Sequence, residues 1–140
     1  MKILLAADGS AFTKKALAFL VTHPALAGPD GELVVLNVQP PVPPRVKTMV
    51  GAGAAAGYHR EEADKVIEPI RAFLGNHGIP FRCSTVVGPP ADEIVRHAQS
   101  EKAQMIVMGT HGYGLVGRFF MGSVAQQVVA QADVPVLLVK

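Results

Sequence analysis

Glycine residues cluster in one short stretch of the chain and are followed by a hydroxyl side chain. Five glycines fall between positions 109 and 122, and Ser123 comes directly after the last of them. Because glycine has no Cβ atom, its backbone adopts positive φ angles readily and can approach an anion closely. The apolar spacing after Ser123 predicts a helix, whose first N–H groups and dipole favour a bound phosphate. The stretch therefore predicts a phosphate site to which Ser123 adds a hydroxyl donor.

The elements that position these glycines follow from the hydrophobic pattern. Residues 105–108 are continuously apolar, which is typical of a parallel strand covered on both faces. Similar runs alternate with helical patterns along the chain, which predicts a single α/β domain, a doubly wound five-stranded parallel sheet with strand order 3-2-1-4-5 and helices on both faces. We expect strands at 2–7, 32–38, 79–87, 105–108 and 134–139. We expect one helix after Ser10, whose hydroxyl would cap its first turn, one at 58–77, one with Pro90 in its first turn, and one from Ser123.

This strand order brings two parts of the sequence to one crevice. The order reverses between the first and fourth strands, whose carboxyl ends lie at Asp8 and Gly109. Ligands of open α/β sheets bind in the crevice at such a reversal. The carboxylate of Asp8 could contact a ligand there, or it could cap N–H groups of its own turn.

Two familiar phosphate motifs do not fit. Gly112, Gly114 and Gly117 spell the G-x-G-x-x-G of dinucleotide-binding proteins, but that motif needs an acid about 20 residues later to hold a ribose. Here the following strand runs to Lys140 without one. A Walker loop needs Lys where Ser123 stands. A dinucleotide oxidoreductase is therefore not favoured.

The spacing Gly109-x2-Gly112-x9-Gly122-Ser123 resembles the ATP-binding signature of the universal stress protein family. The resemblance extends over nearly the whole chain, through Asp8-Gly9-Ser10, Leu36-Asn37-Val38, Gly88-Pro89-Pro90-Ala91 and residues 135–139. It implies one Rossmann-like nucleotide-binding domain over residues 1–140, with ATP as ligand and Mg²⁺ held mainly through the phosphates.

The resemblance also implies roles for individual residues. In the family the residue matching Asp8 lies against the nucleotide, and the backbone matching Val38 recognises the adenine edge. The position before Val38 is often His in the family and is Asn37 here. The expected nucleotide contacts are Ala7, Asp8, Val38, Met108, Gly109, Gly112, Arg118, Gly122, Ser123 and Val124. The family pairs its last strand across a two-fold axis, which implies a homodimer through residues 134–139.

Composition restricts the class of protein. A chain of 140 residues, 49% hydrophobic and 17% charged, is long enough for one domain with a substantial core. A net charge of +2 gives no basic stripe for nucleic acid. Cys83 is the single cysteine, which excludes an intrachain disulfide and fits a reducing compartment. The apolar runs are too short for a membrane span or a signal peptide, so we expect a cytoplasmic protein.

Two segments between the predicted strands have unusual composition. Residues 39–57 hold several prolines and then several glycines without periodicity, which predicts a mobile surface loop with a semi-rigid proline start. Arg45 and Lys47 within it could reach phosphates or simply be solvated. Pro69 falls inside the helix predicted at 58–77 and is expected to kink or divide it.

Three functions are compatible with these patterns. The first is an ATP-binding regulatory protein of the stress response, which acts through a protein partner that the sequence does not identify. The second is a slow ATPase or phosphotransferase, in which Asp8 orients water while His111 or Arg118 stabilises charge on the γ-phosphate. The third is an interaction module that binds no nucleotide. The intact glycine signature favours the first, with weak ATP hydrolysis or autophosphorylation at most.

Overall fold

A computed structural model describes residues 1–111 and 121–140. Five parallel strands form one sheet in the order β3-β2-β1-β4-β5, which confirms the predicted fold. The strands are β1 Lys2–Ala6, β2 Glu32–Gln39, β3 Phe81–Val87, β4 Met105–Gly109 and β5 Val136–Val139. The helices in these ranges are α1 Ala11–Val21, α2 Pro24–Ala27, α3 Pro44–Val50, α4 Ala52–Asn76, α5 Pro90–Ser100 and α6 Ser123–Gln131.

The central strands are apolar on both faces because helices cover both faces. Leu4 of β1 pairs with Val34 of β2 and Ile106 of β4, and all three are buried in the layer under α5 and α6. The neighbouring side chains Ile3 and Leu5 point to the opposite layer, under α1 and α4. The core therefore has two halves separated by the sheet, and the carboxyl ends of β1, β2 and β4 are held side by side.

The segment after β2 is more regular than its sequence indicates. The prediction that residues 39–57 lack regular structure is wrong for most of the segment, since α3 spans Pro44–Val50 and α4 begins at Ala52. Proline favours the first turn of a helix because its φ angle is already helical. Gly51 separates the two helices with a φ of +86°, a conformation that glycine adopts without strain.

Pro69 lies inside α4 without dividing it. The helix continues from Ala52 to Asn76, so of the two expected outcomes, a kink or a division, the division does not occur. An interior proline removes one backbone hydrogen bond and crowds the preceding turn. Ile67, Ile70 and Leu74 are buried against the sheet on either side of it, and this packing outweighs the local cost.

Charged side chains close the amino-terminal edge of the sheet. Lys2 Nζ lies 3.4 Å from Glu32 Oε2 and 3.3 Å from Glu101 Oε2. Arg82 also forms an ion pair with Glu101. The hydrogen bond from Arg82, with the help of Lys2, lowers the pKa of Glu101 to about 2. These charges satisfy one another at the edge where the parallel strands begin.

A helix crosses a lipid bilayer only if it has sufficient length and apolar character. A spanning helix needs about 20 predominantly apolar residues. No helix in residues 1–111 or 121–140 combines that length with that apolar character.

Candidate functional site

The carboxyl ends of β1, β2 and β4 surround one cavity of about 470 Å³. The cavity also touches α4, α5 and the first turn of α6. Most of the residues predicted to contact a nucleotide line it: Ala7, Asp8, Val38, Met108, Gly109, Gly122, Ser123 and Val124. Gly112 and Arg118 lie outside the described residues. The crevice expected from the strand order is therefore a formed cavity, while contact with a nucleotide stays a prediction.

Asp8 is held in place by its own turn. Its Oδ1 accepts hydrogen bonds from the Ser10 N–H at 2.9 Å and from Thr13 Oγ1 at 2.9 Å. The Thr13 hydroxyl in turn accepts the Asp8 N–H at 3.1 Å. Both accepted bonds go to one oxygen, so within residues 1–111 and 121–140 Oδ2 accepts none. The local turn role and a ligand role are thus compatible, since each uses a different oxygen.

Ser10 occupies the N-cap position of α1, as predicted, but its side chain does not cap the helix. Its Oγ is buried and has no hydrogen-bond partner in the described part of the chain. The cap role expected for the hydroxyl is therefore wrong. Asp8 provides the local hydrogen bond instead, because its carboxylate accepts the N–H two residues later.

Gly109 and Gly122 are not explained by positive φ angles, which corrects the expectation for these two glycines. Gly122 has φ −62° and ψ 154°, which any residue adopts, and Gly109 is not among the described positive-φ glycines. Glycine is required at position 109 for steric reasons, because a Cβ atom there would lie 2.3 Å from Cβ of Phe12. The glycine lets α1 pack closely over the end of β4.

The amino-terminal end of α6 faces the cavity. Gly122 is its N-cap, and Ser123, Val124 and Ala125 form the first turn and line the cavity. The first N–H groups of a helix have no partner within it, and the first turn of α6 carries no acidic residue. The Gly122 N–H donates to the Thr110 carbonyl oxygen at 2.7 Å, which fixes α6 to the end of β4. This arrangement favours an anion.

A pair of amide side chains in the cavity wall was not predicted as part of the site. Asn37 is 2% exposed, and its Nδ2 donates to the Ala7 carbonyl oxygen at 2.8 Å. Gln39 Nε2 donates to Asn37 Oδ1 at 2.7 Å. Side chains alternate along β2, so both amides lie on one face of the strand. Two polar residues at the end of an otherwise apolar strand could have indicated this part of the site from the sequence.

Several polar side chains complete the wall of the cavity. Thr13 of α1, Glu62 of α4 and Thr110 after β4 all line it. His111 lines it as well, with its Nδ1 2.8 Å from Thr110 Oγ1 and its ring centroid 5.0 Å from that of Phe12. The cavity therefore offers hydroxyls, amides, carboxylates and the N–H groups of the first turn of a helix, which are the donors and acceptors that a phosphorylated sugar needs.

Comparison with known proteins identifies the family. Residues 1–140 match the model of the universal stress protein family. The chain belongs to the universal stress protein family. The match confirms the family membership that the sequence resemblance implied, and it covers the whole chain.

Individual relatives align over nearly their full length. A universal stress protein of Thermus aquaticus is 39% identical over 139 residues, which is 99% of this chain and 97% of the relative. The structure of MJ0577 from Methanocaldococcus jannaschii superposes with a TM-score of 0.85 at 30% identity, covering 99% of this chain and 94% of that one. A universal stress protein of Archaeoglobus fulgidus, solved in complex with dAMP, gives a TM-score of 0.68 at 26% identity, covering 100% and 98%.

Proposed function

We propose that this universal stress protein binds an adenine nucleotide, specifically ATP with Mg²⁺, and that binding rather than turnover is its regulatory function in the stress response. The observation that carries the proposal is the meeting of Asp8, Gly109 and the first turn of α6 at one cavity. The complex of the Archaeoglobus fulgidus relative with dAMP supports adenine as the base. In this account the protein acts in the cytoplasm, and an unidentified protein partner reads the nucleotide state.

The order of the strand ends and the position of α6 favour one direction for the nucleotide across the cavity. Neighbouring strands lie about 4.8 Å apart, so the end of β2 is about 10 Å from the end of β4. The phosphates belong over Gly109, Gly122 and Ser123, where the first N–H groups of α6 have no partner within the helix. The ribose then lies at Asp8 beside β1, and the base reaches Val38 at the end of β2.

Magnesium fits this arrangement through the nucleotide. Residues 1–111 and 121–140 contain no group of three or more His, Cys, Asp and Glu side chains placed to hold a metal ion. Mg²⁺ commonly keeps several waters and binds through substrate phosphates. We expect it to neutralise the phosphate oxygens, while the N–H groups of α6 and the hydroxyl of Ser123 hold those oxygens in position.

The binding test compares two glycine substitutions by calorimetric titration of nucleotide-free protein with ATP and Mg²⁺. In Gly122→Val the backbone angles are tolerated, but the new side chain blocks approach to the first turn of α6, so ATP binding is lost. The control Gly75→Val lies in α4, where a Cβ meets no atom within 4 Å, and it keeps wild-type affinity. Equal ATP affinity in both variants contradicts the proposed phosphate position.

The same proposal includes a homodimer formed through β5. Among the strands in residues 1–111 and 121–140, β5 pairs with β4 alone, and its side chains are all half-buried. Its outer side therefore has backbone groups without a partner in the described part of the chain. Leu137→Lys should convert a dimer to a monomer in light scattering. Val87→Lys on β3, the outer strand on the other side of the sheet, should leave the mass unchanged. A dimer mass that persists in Leu137→Lys rules out this interface.

A further inference from the structure

Two amide side chains and one backbone carbonyl form a hydrogen-bond chain at the base end of the cavity. The Ala7 carbonyl oxygen accepts from Asn37 Nδ2 at 2.8 Å. Asn37 Oδ1 accepts from Gln39 Nε2 at 2.7 Å. Ala7 and Asn37 are buried, with 4% and 2% of their surface exposed, whereas Gln39 is half-buried and lines the cavity.

The backbone carbonyl at one end fixes the orientation of both amides. A side-chain amide can turn by a half rotation, which exchanges its oxygen and nitrogen. Turning Asn37 would put its oxygen against the Ala7 carbonyl, so two acceptors would face each other in a buried site. With Asn37 fixed, turning Gln39 would place its oxygen against Asn37 Oδ1. Each turned form leaves buried acceptors unpaired, at the cost of at least one hydrogen bond.

The fixed orientation determines what Gln39 presents to a ligand. One of the two N–H groups of its Nε2 donates to Asn37 Oδ1, which holds the nitrogen beside Asn37. The other branch of the amide is Oε1, which accepts no hydrogen bond from the described residues. Gln39 follows Val38 at the end of β2, the part of the cavity farthest from Gly109 and Gly122 in the strand order. An acceptor held there suits a base with an amino group and opposes a base with a carbonyl oxygen in the same place.

We propose that Gln39, positioned by Asn37, selects a 6-aminopurine over a 6-oxopurine at the base end of the cavity. This inference deepens the proposed function and rests on it. Gln39 is the specificity-determining residue, and Asn37 is a positioning residue that acts through the Gln39 amide. Backbone groups at Val38 cannot be altered by a side-chain change, so the contribution of Gln39 is separable from theirs.

The test measures the affinities of ATP and inosine triphosphate by calorimetry with Mg²⁺ present. Gln39→Leu removes the acceptor and should lower the preference for ATP over inosine triphosphate about fivefold, the size expected for one hydrogen bond. Asn37→Ala leaves the Gln39 amide free to turn, so it should lower the same preference by improving the binding of inosine triphosphate. A loss of structure alone would weaken both nucleotides together and leave their ratio unchanged.

Gln104→Leu is the matched control, because Gln104 lies at the amino-terminal edge, where its Oε1 accepts the Lys2 N–H at 2.8 Å. This variant should keep the wild-type ratio. An unchanged ratio in Gln39→Leu, with ATP still bound, overturns the role of Gln39 and leaves the proposed function intact. Failure of the wild-type protein to bind either nucleotide overturns the proposed function and this inference with it.

Discussion

The five parallel strands begin at one edge of the sheet, the amino-terminal edge, and end at the opposite, carboxyl edge. The two edges differ in chemistry. At the amino-terminal edge, Lys2, Glu32, Arg82 and Glu101 form ion pairs that satisfy one another. At the carboxyl edge, Asp8 keeps one oxygen without a partner among the described residues. The first turn of α6 lines the cavity there, and its N–H groups have no partner within the helix. The charged side chains at the amino-terminal edge form ion pairs with one another, whereas the carboxyl edge keeps donors and acceptors for a ligand.

The largest effect is expected from filling the space at Gly109. In Gly109→Ala the new methyl group would lie 2.3 Å from Cβ of Phe12, so α1 and β4 must separate at the cavity. Overpacking of this kind costs up to about 3 kcal/mol. Urea denaturation measures the change in the free energy of unfolding. Gly75→Ala, which meets no atom within 4 Å, should not destabilise the protein, and equal stability of the two variants would contradict the close contact.

Removing the charge of Asp8 should weaken nucleotide binding while leaving the fold in place. Asn in this position keeps an oxygen that can accept from Ser10 and Thr13, but it loses the carboxylate that we expect to accept from the ribose hydroxyls. Hydrogen bonds to charged groups contribute about 2 kcal/mol. Calorimetry should therefore show a clear loss of ATP affinity in Asp8→Asn and none in Glu101→Gln. A similar loss of ATP affinity in both variants would contradict a nucleotide site that lies at the carboxyl edge alone.

The smallest effect is expected at the amino-terminal edge and depends on pH. Glu101 has its pKa lowered from 4.5 to about 2, chiefly by the hydrogen bond from Arg82. Because the folded-state pKa is the lower one, its ion pairs stabilise the protein above pH 4.5, and this contribution is lost as the pH falls towards 2. Exposed pairs contribute about 0.2 to 1 kcal/mol. Glu101→Gln should cost that much at pH 7.

Denaturation curves at a series of pH values measure this contribution. The stability difference between the wild type and Glu101→Gln should shrink below pH 4.5, the usual value for the group. A difference that stays constant down to pH 2 means that Glu101 does not act through its charge.

The sheet and the position of the cavity were predictable because they follow from strong local patterns. The continuously apolar strand at residues 105–108, with glycines after it, determined where the fourth strand ends. The structure confirms the predicted strand order. Asp8 and Gly109 then meet because parallel strands end at one edge.

Other features depend on contacts that local sequence does not encode. Helix α3 buries no side chain, so its sequence carries no hydrophobic periodicity by which a helix is recognised. The Asn37 amide gains its partner only when β1 and β2 pair in the register that brings the Ala7 carbonyl beside it. Pro69 is tolerated because residues before and after it pack on the sheet.

The most direct test of the nucleotide site is an NMR titration of isotopically labelled protein with ATP and Mg²⁺. The backbone amide signals of Asp8, Val38, Gly109 and Ser123 should shift with ATP, while those of Lys2 and Glu101 at the amino-terminal ends of the strands stay in place. Shifts centred on the amino-terminal edge, or no saturable shifts anywhere in the spectrum, would contradict a nucleotide site at the carboxyl edge of the sheet.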